Sequence, residues 1–343
     1  MADAAIFSLL QRLLIAILPV VAFLFALWLL DSFKLVRIPA VLAAVGWGVG
    51  AAVLCYFANA LLLEGAGLST RTYARYVSPL LEEGAKGSYL FLLIRRKKIG
   101  FLVDAAILGF AVGAGFGIAE NLHYLRAVSG AGLPMLILRG FGTAIMHGGT
   151  TSWLGVMSQG FTERRRSDDI LAFGPGLLLA YLFHSLFNHF PVSPALSAAG
   201  VLVVLPAVMI LVFRQSEHSL RGWLGIGFDT DAQLLEMIKT GRILESRIGE
   251  YLWALKTRFP PSVVADMLCL LQIQTELSMR AKGVLLMREA GFRVERDPGV
   301  EERFRELLYL EKSIGKTGRL ALQPCHRWSS RDLWQLHMLA GKR

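Results

Sequence analysis

Two adjacent glutamates and a lysine, Glu82-Glu83-Gly84-Ala85-Lys86, interrupt an otherwise apolar stretch at 79–94. Three more polar sets follow in similar surroundings: Phe116 with Glu120-Asn121, His147 with Thr150-Thr151, and His184 with Asn188. An ionisable side chain at the centre of a membrane helix costs roughly 2.5–3.5 kcal/mol on insertion scales, so such groups face a cavity, a partner or a pathway. Their chemistry is that of water activation. A buried carboxylate can accept a proton, and neutral imidazoles can ligate a metal or hydrogen-bond a developing oxyanion. The lysine can hold a second carboxylate ionised.

Helical spacing gives these residues directions. Positions i and i+4 share a face, so Glu82 is expected to stack with Lys86, His147 with Thr151 and His184 with Asn188. Adjacent glutamates point about 100° apart. Glu83 is therefore expected as the general base and Glu82 as the partner of Lys86, with the two assignments interchangeable at this level. Glu120 and Asn121 fall near the expected end of their span. Asn188 has two readings, an oxyanion donor or a hydrogen bond between helices, and Thr151 reads as the latter. Gly109, Gly113 and Gly117 recur at i, i+4, i+8 and would let another helix approach closely.

These residues need helices to carry them. Apolar segments at 13–30, 38–63, 79–94, 99–119, 141–161, 170–190 and 195–213 are each near the ~20 residues that cross hydrocarbon, giving about seven spans. The first reads as a retained span rather than a cleaved signal, since no A-x-A-like site follows it. The third is the one a hydropathy window would miss. The basic residues Lys34, Arg37, Arg95 to Lys98, Arg164 to Arg166, Arg214 and Arg221 fall on one side of this arrangement and mark it as cytoplasmic, against Arg12, Arg71, Arg75, Arg126 and Arg139 on the other. That orientation puts the N-terminus outside and brings Glu83, Glu120, His147 and His184 to one level beneath the outer surface.

The chain is 54% hydrophobic with mean hydropathy +0.51, a membrane protein's composition. Residues 1–213 hold 25 charged residues and the shorter 214–343 hold 37, which divides the chain into a transmembrane domain and a soluble tail. Each part carries net +5, so the high pI reflects a basic face beside anionic lipid and no nucleic acid partner is expected. Cys55, Cys269 and Cys325 are too scattered for a disulfide framework or zinc knuckle, and Cys325-His326 reads as structural. The tail has helical patterning at 232–242 and 301–312, with breaks at Pro260-Pro261 and Pro298-Gly299. The fold class expected is all-α, a polytopic bundle with a C-terminal helical cytosolic domain of unassigned role.

The four polar sets, in this order, resemble the PrsW family of bacterial intramembrane proteases, whose motifs run EExxK, FxxxEN, HxxxT and HxxxN. The resemblance covers roughly 78–190 and leaves out the tail. It implies an enzyme of the bacterial inner membrane that hydrolyses a peptide bond of a membrane-anchored protein, an anti-sigma factor in well-known members, near the extracytoplasmic face. It assigns the site to Glu82, Glu83, Lys86, Glu120, Asn121, His147, His184 and Asn188. Kinship with CAAX-prenyl and bacteriocin-processing proteases also follows; there the second motif usually carries histidine where this chain has Glu120. A zinc ion held by Glu120, His147 and His184 is one expectation, metal-free glutamate catalysis the other. An ion-coupled transporter and a non-catalytic sensor are the competing function classes, and the crowding of all four sets into spans three to six favours a single catalytic site over inverted repeats.

Overall fold

The computed structural model describes residues 2–127, 132–165, 170–189, 191, 193–295, 297–325 and 330–340. Among these residues the secondary structure is helical, with no strand. They cluster into two compact units, 1–216 and 217–343. The boundary expected at 213/214 and this one both fall inside a single helix, α9 (Pro194–Lys239).

In the first unit, α1 (Ala2–Leu30) and α2 (Ile38–Ala66) are followed by a short α3 (Thr70–Thr72) and a π-helical segment, π1 (Tyr73–Val77), which leads into α4 (Ser78–Arg95). Then come α5 (Leu102–Ala127), α6 (Leu133–Ile137), a second π-helical segment, π2 (Leu138–Thr143), α7 (Ala144–Arg165), α8 (Gly174–His189) and α9. Among the described residues five helical stretches are long and apolar enough to cross a membrane. The other two expected spans, α4 and α7, fall short because each carries its polar residues inside the bundle. On α7 His147, Thr150, Thr151, Ser152, Ser158, Gln159 and Thr162 are all buried. The sequence anticipates this for α4 only.

The centre of the bundle is a seam between α5 and α7. A Cβ built on Gly113 would lie 2.5 Å from the carbonyl carbon of His147 and 2.7 Å from Gly148 Cα. One built on Gly109 would lie 2.6 Å from the Thr151 carbonyl oxygen, and one on Gly117 2.8 Å from Ala144 Cα. The glycine repeat is thus the contact surface that admits the helix bearing His147. Real Cβ atoms approach backbone no closer than about 3.0 Å, so larger residues would part the two helices. α5 also runs past Glu120 and Asn121 to Ala127, which places both residues inside the helix rather than at its end.

The second unit comprises the end of α9 with α10 (Arg247–Leu255), α11 (Pro261–Glu289), α12 (Pro298–Leu322) and α13 (Ser330–Leu339). The prolines begin α11 and α12, at the first positions where a missing N–H costs nothing. Leu252, Met267, Leu270, Leu277, Leu310 and Ile314 form its core. Beside that core is a buried polar chain: Gln335 donates to Ser278 Oγ (2.9 Å), while Ser278 Oγ and Lys282 Nζ reach Asp231 Oδ2 at 2.5 and 2.6 Å. Cys325 is half-buried, and His326 lies outside the described residues.

Candidate active site

Glu82 and Glu83 come early in α4, Glu120 late in α5, His147 early in α7 and His184 late in α8. Because consecutive helices run in opposite directions, all five meet at one end of the bundle. The loops rich in lysine and arginine lie at the other ends of these helices: Arg96 to Lys98 follow α4, and Arg164-Arg165 close α7.

Among the carboxylates of the site Glu83 is the most enclosed. It is 0% exposed, and its Oε1 accepts from Lys86 Nζ (2.6 Å), His184 Nδ1 (2.8 Å) and Thr150 Oγ1 (3.1 Å). Thr151 Oγ1 reaches Oε2 at 3.4 Å. The ion pair expected between Lys86 and Glu82 is therefore replaced by one between Lys86 and Glu83. Both spacings are available on a helix. The choice is tertiary: Glu83 faces α7, where Lys86 also meets His147 Nδ1 (3.1 Å) and the Phe116 ring (4.7 Å).

Glu82 points elsewhere. Its Oε1 accepts from Ser78 Oγ (2.6 Å) and Asn59 Nδ2 (3.4 Å), and its Oε2 lies 3.7 Å from His184 Nε2. Tyr73 Oη donates to Asn59 Oδ1 (3.0 Å), so π1 and α2 together set this carboxylate. None of Tyr73, Ser78 and Asn59 stood out in the sequence; Ser78, one turn before Glu82, could have been found by helical spacing.

The two histidines differ in their availability. His184 Nδ1 donates to the Glu83 carboxylate, and its Nε2, which carries the lone pair when the ring is neutral, lies beside Glu82. An ammonium group can only donate, so His147 Nδ1 accepts from Lys86 and its Nε2–H is given to Glu120 Oε2 (2.8 Å). Thr151 Oγ1 and Thr150 Oγ1 also lie 3.0 and 3.2 Å from the His147 carbonyl oxygen. The two rings meet edge to face, with centroids 4.8 Å apart.

Glu120 is the accessible carboxylate: its side chain is 39% exposed against 15% for Glu82 and 0% for Glu83. Its second oxygen faces Arg139 Nη2 at 3.3 Å. Asn121 is buried, donates to the carbonyls of Ala16 (2.8 Å) and Arg139 (3.4 Å) and accepts from Arg139 Nε (3.0 Å). Asn188 donates to the carbonyl of Ala74 in π1 (3.0 Å). Five residues after Ala74 stands Pro79, which has no N–H for that carbonyl, and the Asn188 amide takes the place of the missing donor. Ser185 donates to the next carbonyl, that of Arg75 (2.7 Å).

Among the described residues Glu82, His147 and His184 each offer one ligand atom within 4.8 Å of the others. Two imidazoles and one carboxylate form a recognised zinc-binding set, so the donor chemistry fits a divalent metal. The expected third ligand, Glu120, stands outside this group. From α5 it meets His147 Nε2 at 2.8 Å, whereas Glu82 from α4 faces His184 Nε2 at 3.7 Å. Below the triad, the Glu83 bond to His184 Nδ1 is the carboxylate–histidine support usual behind metal ligands.

Neither the curated proteins nor the solved structures give a match. A family model described as PrsW family intramembrane metalloprotease matches residues 37–213, from the start of α2 into α9, a span holding every group named above except Ala16. The chain belongs to the PrsW family of intramembrane metalloproteases and is an intramembrane protease, with its polar centre inside the membrane bundle.

Proposed function

We propose that Glu82, His147 and His184 hold a divalent metal, zinc by donor type, and that Glu120 is the proton carrier for hydrolysis of a membrane-anchored protein. The observation that carries this is the convergence of one carboxylate and two imidazoles from three helices within 4.8 Å. A metal held there supplies Lewis-acid polarisation and acidifies water.

The protein's own groups divide the remaining work. Glu83, with three donors on one oxygen and no exposure, keeps His184 in the tautomer whose Nε2 is free and holds Lys86 in place. The general-base role expected for Glu83 passes to Glu120, the exposed carboxylate. His147 has both nitrogens engaged: it would hold the metal through Nε2 after the proton that this nitrogen gives to Glu120 is released to solvent, Lys86 still donating to Nδ1, and the Glu120 carboxylate would then be free. Glu120 then takes a proton from the attacking water. The water oxygen bonds to the scissile carbonyl carbon, the C–N bond breaks, and Glu120 returns the proton to the departing amine.

The excess of basic residues at the far end, Lys34, Arg37, Arg95 to Lys98 and Arg164-Arg165 against Arg12, Arg71, Arg75, Arg126 and Arg139 at the site end, supports a site towards the extracytoplasmic face with the second unit in the cytoplasm. Residence in a bacterial inner membrane and an anti-sigma-factor substrate follow from the family resemblance. A reconstituted enzyme and a single-span reporter test the reading. Glu82→Gln, His184→Ala and Glu120→Gln should each lower cleavage by about 10²-fold or more; a Glu82→Gln enzyme at the parental rate would sink it.

A further inference from the structure

Arg139 lies in π2, outside the four polar sets, and the sequence presents it as one loop charge among several. The structure restrains it on three sides. Its guanidinium lies over the Tyr124 ring with Cζ 4.4 Å from the centroid, its Nε donates to Asn121 Oδ1 at 3.0 Å, and its buried Nη2 faces Glu120 Oε1 at 3.3 Å. Among the described residues Nη2 has no hydrogen-bond partner besides this ion-pair contact. Asn121 is itself fixed by its bond to Ala16 O on α1. The arginine is thus held rigidly enough to set where the Glu120 carboxylate sits.

The backbone explains its reach. On a regular α-helix Arg139 and His147, i and i+8, would lie about 80° apart. The wider π2 turn rotates the chain less per residue and swings Arg139 towards the face that carries His147. The two oxygens of Glu120 are then shared between the ends of one continuous segment: Oε1 with Arg139 and Oε2 with His147. Rotating the carboxylate away from His147 would break both contacts at once.

We infer that Arg139 is a positioning residue: it orients the Glu120 carboxylate for proton transfer beside His147, acting on the reaction only through Glu120. The inference rests on the reading of Glu120 as proton carrier. Lysine can supply the charge but only one point of contact; glutamine supplies neither charge nor fork.

The experiment is a kinetic cycle on full-length enzyme in vesicles of uncharged lipid, with the single-span reporter and the variants Arg139→Gln, Arg139→Lys, Glu120→Gln and Arg139→Gln/Glu120→Gln. Arg139→Gln should lower kcat by at least about tenfold with KM within about twofold, and Arg139→Lys should recover most of that loss. Bound metal per chain should stay at the parental level in both. In the Glu120→Gln background, Arg139→Gln should cost less than about twofold more, because the group it positions is gone. A loss in KM alone, or equal losses with and without Glu120, overturns the inference. Near-parental kcat in Glu120→Gln overturns the Glu120 reading and the inference with it, which separates that outcome from a failure of Arg139 alone. Arg139→Lys folds with its charge intact, so parental kcat in Arg139→Gln alongside it is equally decisive.

Discussion

Replacing Gly113 with alanine tests whether the α5–α7 seam positions His147. A Cβ at this position would stand 2.5 Å from the His147 carbonyl carbon and 2.7 Å from Gly148 Cα. Carbon pairs rest at about 3.5–4.0 Å, so α7 must retreat by about 1 Å, and neither atom belongs to a flexible side chain that could turn aside. Overpacking of this kind costs about 1–3 kcal/mol. The catalytic effect should be larger, since a displacement of ~1 Å at a reacting group can cost about 10²-fold. The retreat moves His147 relative to Glu120, Lys86 and His184 together. Gly50→Ala on α2 is the matched control, because nothing lies within 4 Å of a Cβ there. The assay is reporter cleavage in vesicles with thermal unfolding of the same preparations. Gly113→Ala should lose about 10²-fold in kcat and unfold at lower temperature, with Gly50→Ala parental in both. Parental kcat and unchanged unfolding in Gly113→Ala would refute the seam's role.

Lys86→Met leaves the buried Glu83 without its 2.6 Å counter-charge and should destabilise the first unit by about 3–5 kcal/mol, while Lys86→Met/Glu83→Gln regains much of that in thermal unfolding. Equal losses in single and double variants would contradict the pairing. Asn188→Ala removes one hydrogen bond to π1, worth about 1 kcal/mol, and should reduce kcat only severalfold; a loss of 10²–10³-fold would restore it as an oxyanion donor. In the second unit, burial and the nearby Asp266 and Glu306 push the Cys269 thiol above its ordinary pKa. Thiolate is the reactive form, so a variant keeping only Cys269 should alkylate more slowly at pH 8 than a free thiol, its rate still climbing beyond pH 9. A plateau near pH 8 would show the shift to be wrong.

The polar sets were legible because hydrocarbon makes each charge conspicuous, and the alternation of span direction was enough to bring them to one level. The glycine repeat of α5 likewise stated a close contact, though not that α7 was the helix admitted. What helical spacing could not supply was the choice among equivalent neighbours. Lys86 can reach Glu82 at i−4 or Glu83 at i−3, and only the position of α7 decides between them. The same limit applies to the carboxylate of the proposed metal site, since whether Glu82 or Glu120 stands with His147 and His184 depends on how α4, α5 and α8 sit around one another. The π segments were invisible for a different reason: a widened turn has no periodic signature, and π1 reveals itself only through the carbonyl that Pro79 leaves to Asn188. Arg139 was hidden with π2. α7 failed as an apolar span because its polar residues are turned inward, which hydropathy cannot distinguish from a helix exposed to water.

The central claim is that Glu82, His147 and His184 hold one metal ion between them. Elemental analysis of the purified full-length protein, beside Glu82→Gln and His184→Ala variants prepared identically, tests it most directly. The account predicts about one divalent ion per parental chain, a loss of most of it in each variant with folding retained, and cleavage abolished by a chelator and restored by zinc. Metal-free parental protein that cleaves the reporter at full rate with chelator present would contradict it.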